Sequence, residues 1–180
     1  NRCRDIVGNL LSFSSQKTCK FNTIDLNSLV TGSLKILHHQ IKLHPGITLL
    51  QDLWPESVTI RGAQGELKQV LLNLVLNAMD AIESKGTITI RTSMDKSDRA
   101  ALIVEDTGQG IPSETLDKLF IPFFTTKTKG HSIGIGLSIC YNIIKMHGGE
   151  IHVCSEPGKG SVFRVMLPTG FSANNKEPHS

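Results

Sequence analysis

Amides and carboxylates threaded along a single helix are the first residues in this chain that could do chemistry. Between Gly65 and Ser84 the sequence reads GELKQVLLNLVLNAMDAIES. At about 100° per residue, Glu66, Gln69, Asn73, Asn77 and Asp80 recur at intervals of three and four and fall in one narrow arc. Val70, Leu71, Leu72, Leu74, Val75, Leu76, Ala78, Met79, Ala81 and Ile82 cover most of the remaining surface. A surface helix carries a broad polar face. A thin polar line on an otherwise apolar cylinder predicts a helix that is mostly buried. Its polar side chains then need partners, because each one left unsatisfied costs about 1–3 kcal/mol. From this helix alone they could equally cap neighbouring loops, face bulk solvent or line a site.

Later blocks decide between these. Residues 102–110, LIVEDTGQG, read as a strand entering a tight turn. Leu102, Ile103 and Val104 favour β structure, and Gly108 and Gly110 permit positive φ and close approach of backbone to a ligand. Asp106 stands at the strand end, where an acceptor can face a pocket. FIPFFTTK follows at Phe120–Lys127, and then Gly134 and Gly136 open a helix expected over Leu137–His147. Backbone N–H groups at a glycine-rich helix start can cradle phosphate. One Gly-x-Gly means little; four blocks in this order are specific.

On these blocks the chain resembles the ATP-binding catalytic domain of bacterial sensor histidine kinases, within the GHKL superfamily, from about Phe21 to Pro168. NLVLNA (Asn73–Ala78) resembles the N box, EDTGQGI (Glu105–Ile111) the first glycine box and LFIPFFTTK (Leu119–Lys127) the F box. GIGLS (Gly134–Ser138) resembles the second glycine box, and GKGSVF (Gly158–Phe163) the closing hairpin. The resemblance implies ATP and Mg²⁺ as cofactors. It implies that Asp106 accepts the adenine amino group beside Ser161 and a water. It implies that Asn77 holds Mg²⁺, an amide oxygen being the hard ligand this ion prefers, and that Asn73 faces the same phosphates and joins it at the metal. Lys127 and the amides of Gly134, Ile135, Gly136 and Leu137 would neutralise the phosphates, although a lysine in a lid is usually just solvated. Asp80, Gly108, Gly110, Ile111, Phe124 and Thr125 complete the implied ATP set. Hydrolytic relatives carry a water-activating glutamate where this chain has Asn73, and an amide is no general base. With Asn73 and Lys127 as the catalytic pair, that points to phosphoryl transfer onto a protein side chain.

The function implied is transfer of the ATP γ-phosphoryl group to a histidine on a dimerisation domain, for relay to an aspartate of a response-regulator receiver domain. The full-length protein would be a homodimer, and this stretch alone could stand as a monomer. A kinase of serine or other protein specificity and a non-catalytic nucleotide sensor are the alternatives. Asn1–Ser15 is amphipathic, with Ile6, Leu10 and Phe13 on one face. It is expected to be the end of the second dimerisation helix, or else a simple docking helix. The organisation expected is residues 1–17 for that helix, 18–169 for the ATP-binding domain and 170–180 for a flexible tail.

The rest of the chain fits one domain. Its 180 residues suffice for a real core, and a formal charge of +3 gives no argument for nucleic acid. No apolar run has transmembrane length, so no membrane contact is expected of this stretch. Cys3, Cys19, Cys140 and Cys154 form no CxxC pair and read as reduced thiols of a cytoplasmic protein. Strands are expected at Phe21–Ile24, Ile47–Gln51, Val58–Arg61, Thr87–Ser93, Ala100–Glu105, Glu150–Ser155 and Ser161–Leu167. A helix starting at Asp25-Leu-Asn should run to about His44, with His38, His39 and His44 facing solvent. Trp54 reads as core or loop anchor. Pro112–Phe120 should hold a short helix, and Thr125–Ile133 should form a lid. The fold class is an α/β (α+β) two-layer sandwich, with one mixed, mostly antiparallel sheet and helices on one face.

Overall fold

Alternation of inward and outward side chains builds the sheet that carries the site. The computed structural model describes residues 20–95, 98–125 and 134–169, and of His39 the backbone alone. In chain order the elements are β1 (Asn22–Asp25), α1 (Leu26–Lys42), β2 (Ile47–Asp52), β3 (Thr59–Gly62), α2 (Gln64–Ala81) and β4 (Gly86–Met94). Then come β5 (Arg99–Asp106), α3 (Ser113–Leu116), α4 (Gly136–Met146), β6 (Glu150–Glu156) and β7 (Gly160–Pro168). Five strands form one sheet in the order β2-β4-β5-β7-β6. β2 runs parallel to β4 and the other three pairings are antiparallel. The sheet is therefore mixed and mostly antiparallel, as expected.

One expectation needs correction. The strand at the start of the domain does not join that sheet: β1 pairs with β3 in a separate two-stranded ribbon.

On β4, Ile88 and Ile90 face inward; on β5, Leu102 and Val104; on β7, Phe163, Val165 and Leu167. Helices α1, α2 and α4 pack over them in one continuous core. Among the described residues, the opposite face carries a small cluster of Ala101, Ile103 and Met166 beside Val162. Helix α1 is capped by Asp25, whose carboxylate accepts the Asn27 N–H at 3.1 Å, and it ends at Lys42, just short of His44. His38 and His44 are exposed. Trp54 anchors its loop through its backbone: its N–H donates to Thr92 Oγ1 at 2.9 Å and its carbonyl accepts from Asn27 Nδ2 at 2.9 Å.

Helix α2 buries Leu67, Val70, Leu71, Leu74, Val75, Ala78 and Met79. The larger of these contribute about 1.5–3 kcal/mol each. The helix stops at Ala81, earlier than the expected Ser84, because Ile82 turns to an extended backbone. The carbonyl of Ala81, freed at this end, accepts the N–H of Gln109 at 3.0 Å. The end of the amide-bearing helix is thus tied to the glycine loop after β5. The stretches 1–17 and 170–180 lie outside the described residues.

Candidate functional site

A carboxylate occupies a position that the strand pattern reserves for a core side chain. Along β5 the inward series is Ala100, Leu102, Val104 and then Asp106, which is 4% exposed. A buried ionised group is costly unless it is hydrogen-bonded. Here Oδ1 accepts the Gly108 N–H at 2.8 Å. Ser161, its neighbour across β7, brings its backbone N–H and hydroxyl up to the same carboxylate. Burial is the strongest influence and raises the pKa of Asp106; the hydrogen bonds from Gly108 and Ser161 pull it down, and the charge of Glu105 pushes it up again. The net direction is upward.

Asp106 opens onto a cavity of about 120 Å³. Its strand-built wall comprises Asp106, Ser161 and Phe163, continued by Gln109, Gly110, Ile111 and Pro112. Gly110 has a φ of 72°, and a Cβ there would run into the carbonyl of Glu156. The helix-built wall comprises Asn77 and Ala81 from α2, and Gly136 and Leu137 at the start of α4, with Gly134 before them. Leu119, Phe124 and Thr125 close the third side. Phe123 adopts a φ of 67°, unusual for an aromatic residue, and its N–H donates to the Gly134 carbonyl at 2.9 Å. That bond brings the F-box stretch against the second glycine block, with the ring of Phe124 on the cavity and that of Phe123 exposed.

The polar stripe of α2 divides here. Asn77 lines the cavity. Asn73, expected at the phosphates and as a second metal ligand, does not: its NH₂ donates to the Gly136 carbonyl at 3.2 Å, and its amide also meets the Cys140 thiol. Burial pushes that thiol up to about 12. Asp80, one turn beyond, is exposed and off the cavity wall. Gly108 is packed under the Ala81 carbonyl, where a Cβ would collide, and Ile135 is buried in the core. Both shape the site without lining it. Lys127 and the expected lid beyond Thr125 lie outside the described residues.

Ala81, Gln109, Pro112, Leu119 and Phe163 were not singled out from the sequence. Ala81 and Phe163 had a signal: they sit one helical turn after Asn77 and two strand residues after Ser161, on the faces of those residues.

The description of a protein-family model, histidine kinase-, DNA gyrase B- and HSP90-like ATPase, matches residues 62–170. The chain belongs to this family. Within it the chain is a histidine kinase catalytic domain: it is 34% identical to the nucleotide-free catalytic domain of histidine kinase ThkA, covers 96% of that chain with 83% of its own, and superposes with a TM-score of 0.74. It is also similar to ThkA in the structure of that kinase with response regulator protein TrrA, at 31% identity and a TM-score of 0.78, over 93% of this chain and 47% of that one. Sensor kinase CckA of Brucella abortus (strain 2308) is 37% identical over 188 residues, 93% of this chain. The chain spans 19% of the length of that curated relative.

ATP is the nucleotide that an ATPase fold of this family binds, and the cavity of the kinase domain fits its parts. Ala81, Ile111, Leu119, Phe124, Leu137 and Phe163 offer apolar surface to a flat base, and Asp106 offers an acceptor at its edge. The first-turn N–H groups of α4 have no intrahelical partner and carry the positive end of the helix dipole. The donor set also fits Mg²⁺. This ion keeps much of its water and takes one or two hard oxygens from protein together with substrate phosphates. Asn77, whose side chain carries one such amide oxygen, lines the cavity. Among the described residues no helix is long and apolar enough to cross a membrane, and Cys140 and Cys154 are free.

Proposed function

We propose that this domain binds ATP with the adenine amino group on Asp106 and with the phosphates between Asn77 and the first turn of α4, and passes the γ-phosphoryl group to a histidine of a dimerisation domain. The observation that carries the reading is the buried carboxylate facing, across one cavity, a metal-competent amide and a glycine-opened helix start. Asn77 would hold Mg²⁺, which would supply positive charge against that of the phosphates. The chain's own part is to hold the base, align the triphosphate and present its terminal phosphorus. Lys127 and Thr125 are assigned to the phosphate side. From the histidine, an aspartate of a response-regulator receiver domain takes the group. Support for that partner comes from the ThkA complex with its regulator. The amphipathic residues 1–17 are assigned to the second dimerisation helix, 18–169 to the kinase domain and 170–180 to a tail. The whole protein is read as a homodimer with this domain in the cytoplasm.

Mixing this fragment with the phosphoacceptor helices of its own full-length protein and labelled ATP tests the reading. The expected product is phosphohistidine, acid-labile and alkali-stable. Transfer should be slow in trans, because tethering normally supplies a high effective concentration. The fragment alone should bind ATP without labelling itself or hydrolysing it appreciably. Acid-stable phosphate on serine or threonine would move the assignment to another protein kinase. ATP bound with no transfer, even in the full-length protein, would make the domain a nucleotide sensor.

A further inference from the structure

We infer that Ser155, which does not line the cavity, is a positioning residue that sets the adenine selectivity of Asp106; this rests on the adenine assignment above. Three side chains stand in one row across three strands. Asp106 on β5 pairs with Ser161 on β7, and Ser161 pairs with Ser155 on β6. Ser155 Oγ lies 3.0 Å from Ser161 Oγ and 2.8 Å from the Gly160 carbonyl. It also accepts the Ile111 N–H at 2.8 Å.

A hydroxyl has one proton to give. When Ser155 gives its proton to Ser161, the proton of Ser161 must leave in another direction, and its remaining partner is the Asp106 carboxylate. When Ser155 gives its proton to the Gly160 carbonyl, it holds the turn that places Ser161. The first arrangement keeps Ser161 as a donor to Asp106, where linked hydrogen bonds strengthen one another, and the second keeps Ser161 in place beside it. The same oxygen fixes the backbone of Ile111, which does line the cavity.

The surrounding backbone holds Ser155 in this role. The Gly158 N–H donates to the Gln109 carbonyl at 2.7 Å, and Gly110 is pressed against the Glu156 carbonyl. The β6–β7 connection and the loop after β5 are therefore closed onto each other around Ser155. One hydroxyl thus positions both the acceptor for the amino group and a wall against the ring.

Two effects follow and can be separated. Loss of the Ile111 support weakens any purine nucleotide. Loss of the Ser161 relay weakens only nucleotides whose base has an amino group for Asp106. Calorimetry with the whole chain, comparing ATP with purine riboside triphosphate, which lacks that group, distinguishes them. The wild type should prefer ATP by about tenfold or more, the worth of one hydrogen bond to a charged group. Ser155→Ala should cut this preference to about threefold or less, and Ser155→Thr, which keeps the hydroxyl, should retain it. If Ser155→Ala does not fold, Ser155→Cys, which keeps the size and donates only weakly, makes the same comparison. Equal losses for both nucleotides, or an unchanged preference, would reduce Ser155 to a structural residue and overturn the inference. A wild type with no preference would overturn the adenine role of Asp106 itself, and this inference with it.

Discussion

The two walls of the cavity are built on opposite principles. On the strand side, the polar groups are satisfied within the protein: Asp106 has donors from Gly108 and Ser161, and Ser161 has Ser155 behind it. On the helix side, the first-turn N–H groups of α4 and the Asn77 amide await a partner of high charge density. On the proposed assignment, the strand wall is preorganised and reads one atom of a base. On the same assignment, the helix wall completes its interactions only with phosphate and metal. Recognition and reaction thus have separate physical supports, and substitutions should separate them.

The largest expected effect lies on the helix wall. Asn77→Ala removes the amide side chain that α2 brings to the cavity. Phosphotransfer in the full-length protein should vanish, together with most of the Mg²⁺-dependent gain in nucleotide affinity. The melting curve should stay close to wild type, since alanine is a good helix former and α2 keeps its buried apolar residues. Transfer at the normal rate would remove Asn77 from the metal.

The strand wall should respond more moderately. Asp106→Asn is expected to weaken ATP at least tenfold, about 1.4 kcal/mol, and to blunt the preference for ATP over GTP, whose base carries a carbonyl at that place. The carboxylate's folded pKa is raised, chiefly by burial. Its contribution to stability is therefore full below the unfolded pKa and is lost as pH rises through the folded one. At neutral pH the ionised group works against the empty fold, so the asparagine variant should melt no lower than wild type. For the same reason, wild-type ATP affinity should begin to fall, on acidification, at a higher pH than an ordinary aspartate would give. An Asp106→Asn protein that melts well below wild type would mean that the carboxylate is a structural keystone.

The difference between the walls also explains how much of the site was legible in the sequence. Strand alternation and the Gly108 and Gly110 spacing placed Asp106 on a pocket, because period-two geometry leaves little freedom. The helix stripe was legible as a stripe, but not as a division of labour. Periodicity puts Asn73 and Asn77 on one face; which of them reaches the cavity depends on where α4 begins, a long-range packing outcome. The early end of α2 escaped for a similar reason: its Ala81 carbonyl is capped from Gln109, remote in sequence. The separate β1–β3 ribbon escaped because a short strand's composition does not name its partner. Ser155 had no signal at all, since its partners arrive from β7 and from the loop after β5.

The smallest effect is the one that tests the asparagines against each other. Asn73 gives its NH₂ to the Gly136 carbonyl, at the first residue of α4. It works as a brace between the two helices of the helix wall. Asn73→Ala loses that bond and should lower stability by about 1 kcal/mol, the net worth of one hydrogen bond. ATP affinity should fall only a fewfold, as the first turn of α4 loosens around the phosphates. The Mg²⁺-dependent part of the affinity should be kept, and so should the transfer rate at saturating ATP. Titrating each variant with ATP, with and without Mg²⁺, reads these contributions separately. A brace lowers both affinities by the same factor and leaves their ratio alone, whereas a metal ligand collapses the ratio. A collapse in Asn73→Ala as deep as in Asn77→Ala would make Asn73 a second ligand, reached by breaking its bond to Gly136 when nucleotide binds.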